Sequence, residues 1–106
     1  SYYICKKDAI NNIIYVTQKD ESDVLYKDHV IVNDVNFLME KPREFIKCQA
    51  KFRYRSNDEN VMIRFIDDNT IEVKCDNKVR AITEGQIAVF YLNNQMIGGG
   101  IIDKVD

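Results

Sequence analysis

Residues 47–55 read Lys47-Cys48-Gln49-Ala50-Lys51-Phe52-Arg53-Tyr54-Arg55, with charged or polar residues alternating with less polar ones at every step. Successive side chains of an extended strand point to opposite faces, so the pattern separates by parity. Lys47, Gln49, Lys51, Arg53 and Arg55 fall on one side, and Cys48, Ala50, Phe52 and Tyr54 on the other. The expected element is a strand over residues 45–55, anchored in a core by one face. The other face then carries a basic ridge of roughly 26 Å, at about 3.3 Å per residue.

Period-two alternation continues on both sides of this stretch, and no segment shows the helical period. Downstream it predicts strands over residues 61–66, 70–75, 79–82, 86–92 and 95–102. Asp67-Asp68-Asn69 and Asn93-Asn94 supply hairpin connections with side chains that tolerate positive φ, and Glu84-Gly85 a tight turn. With residues 45–55 this makes six strands, which suits a small antiparallel barrel. Upstream, residues 3–7 and 13–18 form a hairpin around a turn at residues 8–12, followed by a charged stretch at 19–23. Residues 29–32 and 35–39 are also expected to be extended. Pro42 has no amide hydrogen for a ladder, which puts a module boundary near residues 40–44. The expected fold is therefore all-β, with a small β module over residues 1–42 and a six-stranded antiparallel barrel over residues 43–106.

The chain has 106 residues, 45% hydrophobic and 30% charged, enough for one compact domain or two very small ones with a core and a solvated surface. No apolar run is long enough to span a membrane and no secretory leader opens the chain, so a cytoplasmic origin is expected. Cys5, Cys48 and Cys75 are odd in number and widely spaced, and are read as reduced, mostly buried thiols.

Net charge is −2, so any polyanion contact must be local. Residues 41–55 hold six cationic residues against Glu44, a balance of +5, which leaves −7 for the rest. Such asymmetry points to a phosphate-binding stripe, with Lys47, Lys51, Arg53 and Arg55 as its residues; Arg in particular grips phosphate through two parallel hydrogen bonds. Pairing of the ridge with acids such as Glu72 is the structural alternative.

Gly98-Gly99-Gly100 lies inside an apolar strand, where each glycine costs roughly 0.5–1 kcal/mol relative to alanine. A bulge, a barrel corner or close approach of another backbone would account for it, and Gly85 belongs to its turn. Without a following helix and lysine, three glycines do not make a phosphate loop. His29, the one histidine, has no motif linking it to a nucleophile and is read as structural or exposed. Asp58-Glu59 and Asp67-Asp68 are read as solvated turns. No metal site or catalytic residue is expected.

Four ordered blocks carry a resemblance: Cys48-x-Ala50-Lys51-x-Arg53-Tyr54-Arg55, Arg80-Ala81-x-Thr83-x-Gly85-Gln86, Val89-x-Tyr91 and Gly98-Gly99-Gly100-x-Ile102. Together they resemble the C-terminal domain of tRNA-specific 2-thiouridylases, and residues 3–8 and 12–16 resemble that family's small central module. The resemblance implies a parent enzyme that activates the wobble uridine of certain tRNAs with ATP and replaces its 2-oxygen with sulfur. The family's ATP-pyrophosphatase domain carries a Ser-Gly-Gly-x-Asp-Ser loop and two reactive cysteines, and no such loop occurs in these residues. It thus implies a non-catalytic fragment without a cofactor of its own, ATP belonging to the missing N-terminal domain. The implied partners are tRNA and the catalytic domain of the same chain, with no membrane and no DNA, and Lys51, Arg53 and Arg55 would inherit the RNA contact. Glu84 stands where the family usually has proline, and Phe37 where tryptophan is common. Barrels of this architecture also serve as protein-docking modules or as substrate-side domains of folate-dependent aminomethyl carriers. A docking role predicts an exposed apolar patch, an RNA role a salt-sensitive basic face.

Overall fold

The computed structural model describes residues 3–8 and 13–17 as paired strands and residues 26–106 in full. β1 (Tyr3–Asp8) and β2 (Ile13–Thr17) pair antiparallel, as the hairpin reading expects, while the turn at residues 9–12 and the charged stretch at 19–23 lie outside the described residues. The other six strands are β3 (Tyr26–Phe37), β4 (Ile46–Lys51), β5 (Glu59–Asp67), β6 (Thr70–Arg80), β7 (Ile87–Leu92) and β8 (Gln95–Val105). They close into an antiparallel barrel in the order β3-β6-β5-β4-β7-β8, so all six have two neighbours and none is left as an edge.

Alternation builds the interior. Val30 and Val32 on β3, Cys48 and Ala50 on β4, Val61, Ile63 and Phe65 on β5, Ile71 and Val73 on β6, and Ala88 and Phe90 on β7 all point inward and are buried. Fully burying a Val, Ile or Phe side chain stabilises by about 1.5–3 kcal/mol, so this one contiguous set supplies the main driving force. No polar or charged residue is buried among the described residues.

Three details depart from the sequence reading. The boundary near residues 40–44 falls inside the barrel, because β3 pairs with both β6 and β8 and is the strand that closes it. Residues 38–45 cross one end of the barrel and are held there by two backbone hydrogen bonds, Leu38 N to Ile97 O at 2.8 Å and Phe65 N to Pro42 O at 2.8 Å, and by Lys41 and Arg43, which donate to Asp68. Pro42 thus serves as an acceptor, for which it needs no amide hydrogen. The expected strands over residues 29–32 and 35–39 merge into one, β3, which ends at Phe37 and is bent where Asp34 takes φ 51° and the ladder to β8 shifts between Asn33 and Asn36. The expected strands over residues 70–75 and 79–82 are likewise one strand, β6, which ends at Arg80 before Ala81 takes φ 56° and whose ladder with β3 slips between Lys27 and His29. The turn-like Asp76-Asn77 is absorbed there as a bulge.

The hairpin turns use different devices. Asn93 and Asn94 both take positive φ (51° and 65°), the twist that suits a two-residue connection. At Asp67-Asp68-Asn69 the Asp67 carboxylate accepts the Asn69 amide hydrogen bond at 2.8 Å, an Asx turn that needs no positive φ. That hydrogen bond also holds the Asp67 carboxyl below its ordinary value. Gly85 sits at φ 89° and donates its amide to Ile102 O at 2.8 Å.

The triple glycine is a contact between backbones. A Cβ on Gly98 would lie 2.7 Å from Asn36 O, one on Gly99 2.8 Å from Ala88 O, and one on Gly100 2.5 Å from Asn33 O and 2.7 Å from a Val32 methyl. The backbone neighbours of Gly98 and Gly100 are on β3 and that of Gly99 is on β7, so β8 reaches both partners only without side chains. Gly100→Ala is expected to cost about 1–3 kcal/mol, because backbone rather than a flexible side chain must yield. Gly85→Ala should cost about 1–2 kcal/mol through φ alone, since nothing lies within 4 Å of its added Cβ. Urea midpoints check both; an unchanged midpoint for Gly100→Ala would mean that β8 can withdraw from β3 freely.

Candidate nucleic-acid interface

β4 ends at Lys51, and the predicted basic ridge ends with it. Phe52 still points inward and is buried, but the chain then turns: the Ser56 amide and hydroxyl both bond to Arg53 O, at 3.3 and 2.8 Å, and Arg55 takes φ 63°. A turn breaks parity. Tyr54, expected in the core with Cys48, Ala50 and Phe52, is instead 90% exposed. Lys47, Gln49 and Lys51 keep the outward positions on β4, and Arg53 and Arg55 stand on the connection to β5.

The turn draws together residues that a straight strand would have spread out. Lys51, Arg53, Tyr54 and Arg55 line one cavity of about 460 Å3 with Ile87, Val89 and Tyr91 of β7. Lys47, four residues back along β4, is not part of it. A second cavity, of about 280 Å3, adjoins it and is lined by Arg53 and Arg55 together with Arg80, Glu59 and Asn57. Parity misassigned Tyr54, and it gave no reason to single out Tyr91 or Arg80. The signal available for Tyr54 was the turn-forming run Ser56-Asn57-Asp58, which ends a strand early.

Electrostatics distinguish the rim arginines from Arg43 and Arg64. Arg43 pairs with Asp68 at 2.7 Å and Arg64 with Glu72 at 2.8 Å, whereas Arg53 and Arg55 form no ion pair among the described residues. Lys51 reaches Asp58 at 3.6 Å, an exposed pair worth little. The Arg55 guanidinium lies 5.3 Å from the Tyr54 ring centroid and Lys51 Nζ 5.9 Å from that of Tyr91, so both rings carry a neighbouring cation.

Other candidates have structural roles. His29 Nε2 donates to Glu72 Oε2 at 2.8 Å, while Arg64 Nε donates to Oε1 at 2.8 Å, so Glu72 joins β3, β6 and β5 across the outer face rather than pairing with the basic residues of β4. Burial pushes the Cys48 and Cys75 thiols up to about 12, with neighbouring carboxylates adding to the shift at Cys75; neither has the makings of a nucleophile near neutral pH. The side chain of Cys5 lies outside the described residues. No group of three metal-ligating side chains gathers among the described residues. An apolar groove of about 330 Å3 does run over Gly98, Gly99 and Gly100 between Leu38, Ile87, Met96 and Ile101.

Fold and rim together define a small closed β-barrel domain whose distinguishing surface is cationic and aromatic. The chain belongs to the aminomethyltransferase β-barrel domain family, whose model matches residues 27–102. Its curated relatives include the tRNA-specific 2-thiouridylase MnmA of Bacillus cytotoxicus, 42% identical over 105 residues, and that of Mycoplasma capricolum, 41% identical over 109 residues. These alignments take in 98% of this chain and 28% and 29% of the relatives. The chain thus spans less than a third of the length of the curated relatives it matches, and the likeness is to their C-terminal part, as the four sequence blocks implied.

The Glu72 carboxyl is held below its ordinary value, first by the His29 hydrogen bond and then by Arg64, against desolvation that pushes it up. A depressed carboxylate stabilises the fold in full above its unfolded value, about 4.3, and this contribution is lost as pH falls through the lower native value. Glu72→Gln is therefore expected to lower the urea midpoint at pH 7 and to flatten its fall below about pH 4.3. A variant with the wild-type acid slope would show that Glu72 is not the linkage group.

Proposed function

We propose that this chain is the C-terminal β-barrel part of a tRNA-specific 2-thiouridylase and that it helps to hold tRNA while another domain of the same polypeptide thiolates the wobble uridine. The observation that carries this reading is the rim: Arg53 and Arg55, exposed and without acidic partners among the described residues, stand beside Lys51 in a chain of net charge −2. Guanidinium groups left solvated at the end of a rigid barrel are set to take up phosphate oxygens, and each contact releases counterions. The similarity to curated 2-thiouridylases across 98% of the chain supports tRNA as the polyanion. On this reading the chain supplies grip rather than chemistry, in the cytoplasm, and ATP and the sulfur-carrying cysteines belong to the part of the enzyme outside it. Lys47 contributes at most a peripheral phosphate contact, being on the outer face of β4 away from the rim cavity.

The apolar groove over the glycines supports a second role for the same domain. Ile87 is 63% exposed and Met96 54%, which is the patch a docking surface requires. Packing of the catalytic domain of its own polypeptide over Leu38, Met96 and Ile101 would cover the groove, with Ile87 and Val89 at the border it shares with the rim cavity.

In the full-length protein, replacing Arg53 and Arg55 together by alanine is expected to weaken tRNA binding for all tRNA sequences and to reduce the slope of log affinity against log salt by roughly one unit per lost contact. Titrations at several salt concentrations check this. Wild-type affinity and slope in a folded double variant would leave the rim a solvated surface and move the docking role ahead.

A further inference from the structure

We propose that the larger rim cavity is a nucleotide site for single-stranded RNA, taking one unstacked base against Tyr54 and Tyr91 while Arg53 and Arg55 hold the flanking phosphates. This rests on the RNA reading above and adds the form of RNA that the rim selects.

At 90% exposure the Tyr54 ring adds almost nothing to the core, yet the turn holds its backbone in place: Phe52 is anchored in the core two residues before it, and Ser56 closes on Arg53 O two residues after. With the backbone on either side of it fixed, binding has to order only the two χ angles of the ring, a low cost for so large a contact area.

The surroundings specify the partner. About 460 Å3 lies within the range of small-ligand sites, roughly 300–1,000 Å3. Ile87, Val89 and the two tyrosines give it apolar and aromatic walls, whereas Lys51, Arg53 and Arg55 put positive charge at its edge. A phosphate alone has no use for the rings, and an apolar peptide none for the cations. A nucleotide uses both, because its base offers a π-face and its backbone a negative charge, the combination by which single strands are bound. In a duplex the π-faces are hidden in the stack, so a helical segment would engage the cations only.

The test uses full-length protein and two probes of equal phosphate number: an oligouridylate carrying one 2-aminopurine, and a blunt RNA duplex. Wild type should bind the single strand several-fold more tightly than the duplex and quench the 2-aminopurine. Base–aromatic stacking of about 1–3 kcal/mol corresponds to a loss of roughly 5- to 150-fold, so Tyr54→Leu should lower single-strand affinity within that range and abolish the quenching. Duplex affinity and the salt slope should not change, and Tyr54→Phe should behave as wild type. An unaltered Tyr54→Leu, or equal affinity for the two probes, overturns the base site; the phosphate reading then stands if Arg53→Ala/Arg55→Ala still flattens the slope. If neither RNA binds and the arginine variant changes nothing, both fail, and capture of an acidic peptide by the rim would replace them. Tyr54 is exposed, so urea midpoints should match wild type and exclude a folding defect.

Discussion

Backbone proximity along β8 is the constraint on which the barrel depends. β3 ends at Phe37 and β8 begins only at Gln95, yet the two must pair to close the sheet, and at Gly98 and Gly100 the β3 carbonyls stand where Cβ atoms would otherwise be. Closing so long a loop is entropically unfavourable, and only the ladder hydrogen bonds and the core behind them repay it. Phe37 packs edge-on against Phe65 at 5.0 Å beside the seam, and Val30, Val32 and Ile102 line its inner side. With β8 pressed against β3, all six strands lose their edges together.

Closure also determines where the rim can be. β4 is the shortest link in the circle with β7, pairing with it only from Gln49 to Lys51, so the chain is released just after Lys51. Phe52 keeps that exit tied to the core. The connection from there to β5 is free of ladder constraints and can turn Tyr54 and Arg55 outward over β7, bringing them to Tyr91. At the opposite end the segment through Pro42 covers the barrel, with Lys41 Nζ 5.4 Å from the Phe65 ring. One end is thus capped by the chain itself, while the other presents charge.

The outer wall between them is tied by Glu72. Its two oxygens take hydrogen bonds from β3 and β5 while its backbone is in β6, so three adjacent strands share one carboxylate. Arg64 is also 4.7 Å from the Phe45 ring, and Lys74 4.8 Å, so that these two cations are engaged by an acid or an aromatic face. The contrast with Arg53 and Arg55 is what makes the rim a candidate site: basic residues are spread over the barrel, and their partners decide which of them remain available. Beside the rim, the apolar groove over the glycines gives the domain a second exposed face.

Much of this was legible in the sequence because it is local. Alternation identified the all-β class, the inward residues Cys48, Ala50 and Phe52, and the strands over residues 61–66 and 86–92, since side-chain direction follows from parity alone. Asn93-Asn94 announced a turn through its tolerance of positive φ, and the glycine run announced through its cost a bulge, a corner or a close approach, of which the structure shows the last. The four motif blocks carried the family. Three things were decided only by tertiary structure, for one physical reason. Whether a strand continues, bends or ends depends on the partner beside it, and those partners are far away in the chain. β3 belongs to the barrel because β6 and β8 flank it; Asp76-Asn77 stays within β6 because the β3 ladder can slip around it; Tyr54 leaves the core because the β4 ladder to β7 ends at Lys51, where β4 parts from its neighbour. The residue types of the basic stretch were therefore readable at once, while its shape, a rim in place of a ridge, came from the neighbours that closure supplied.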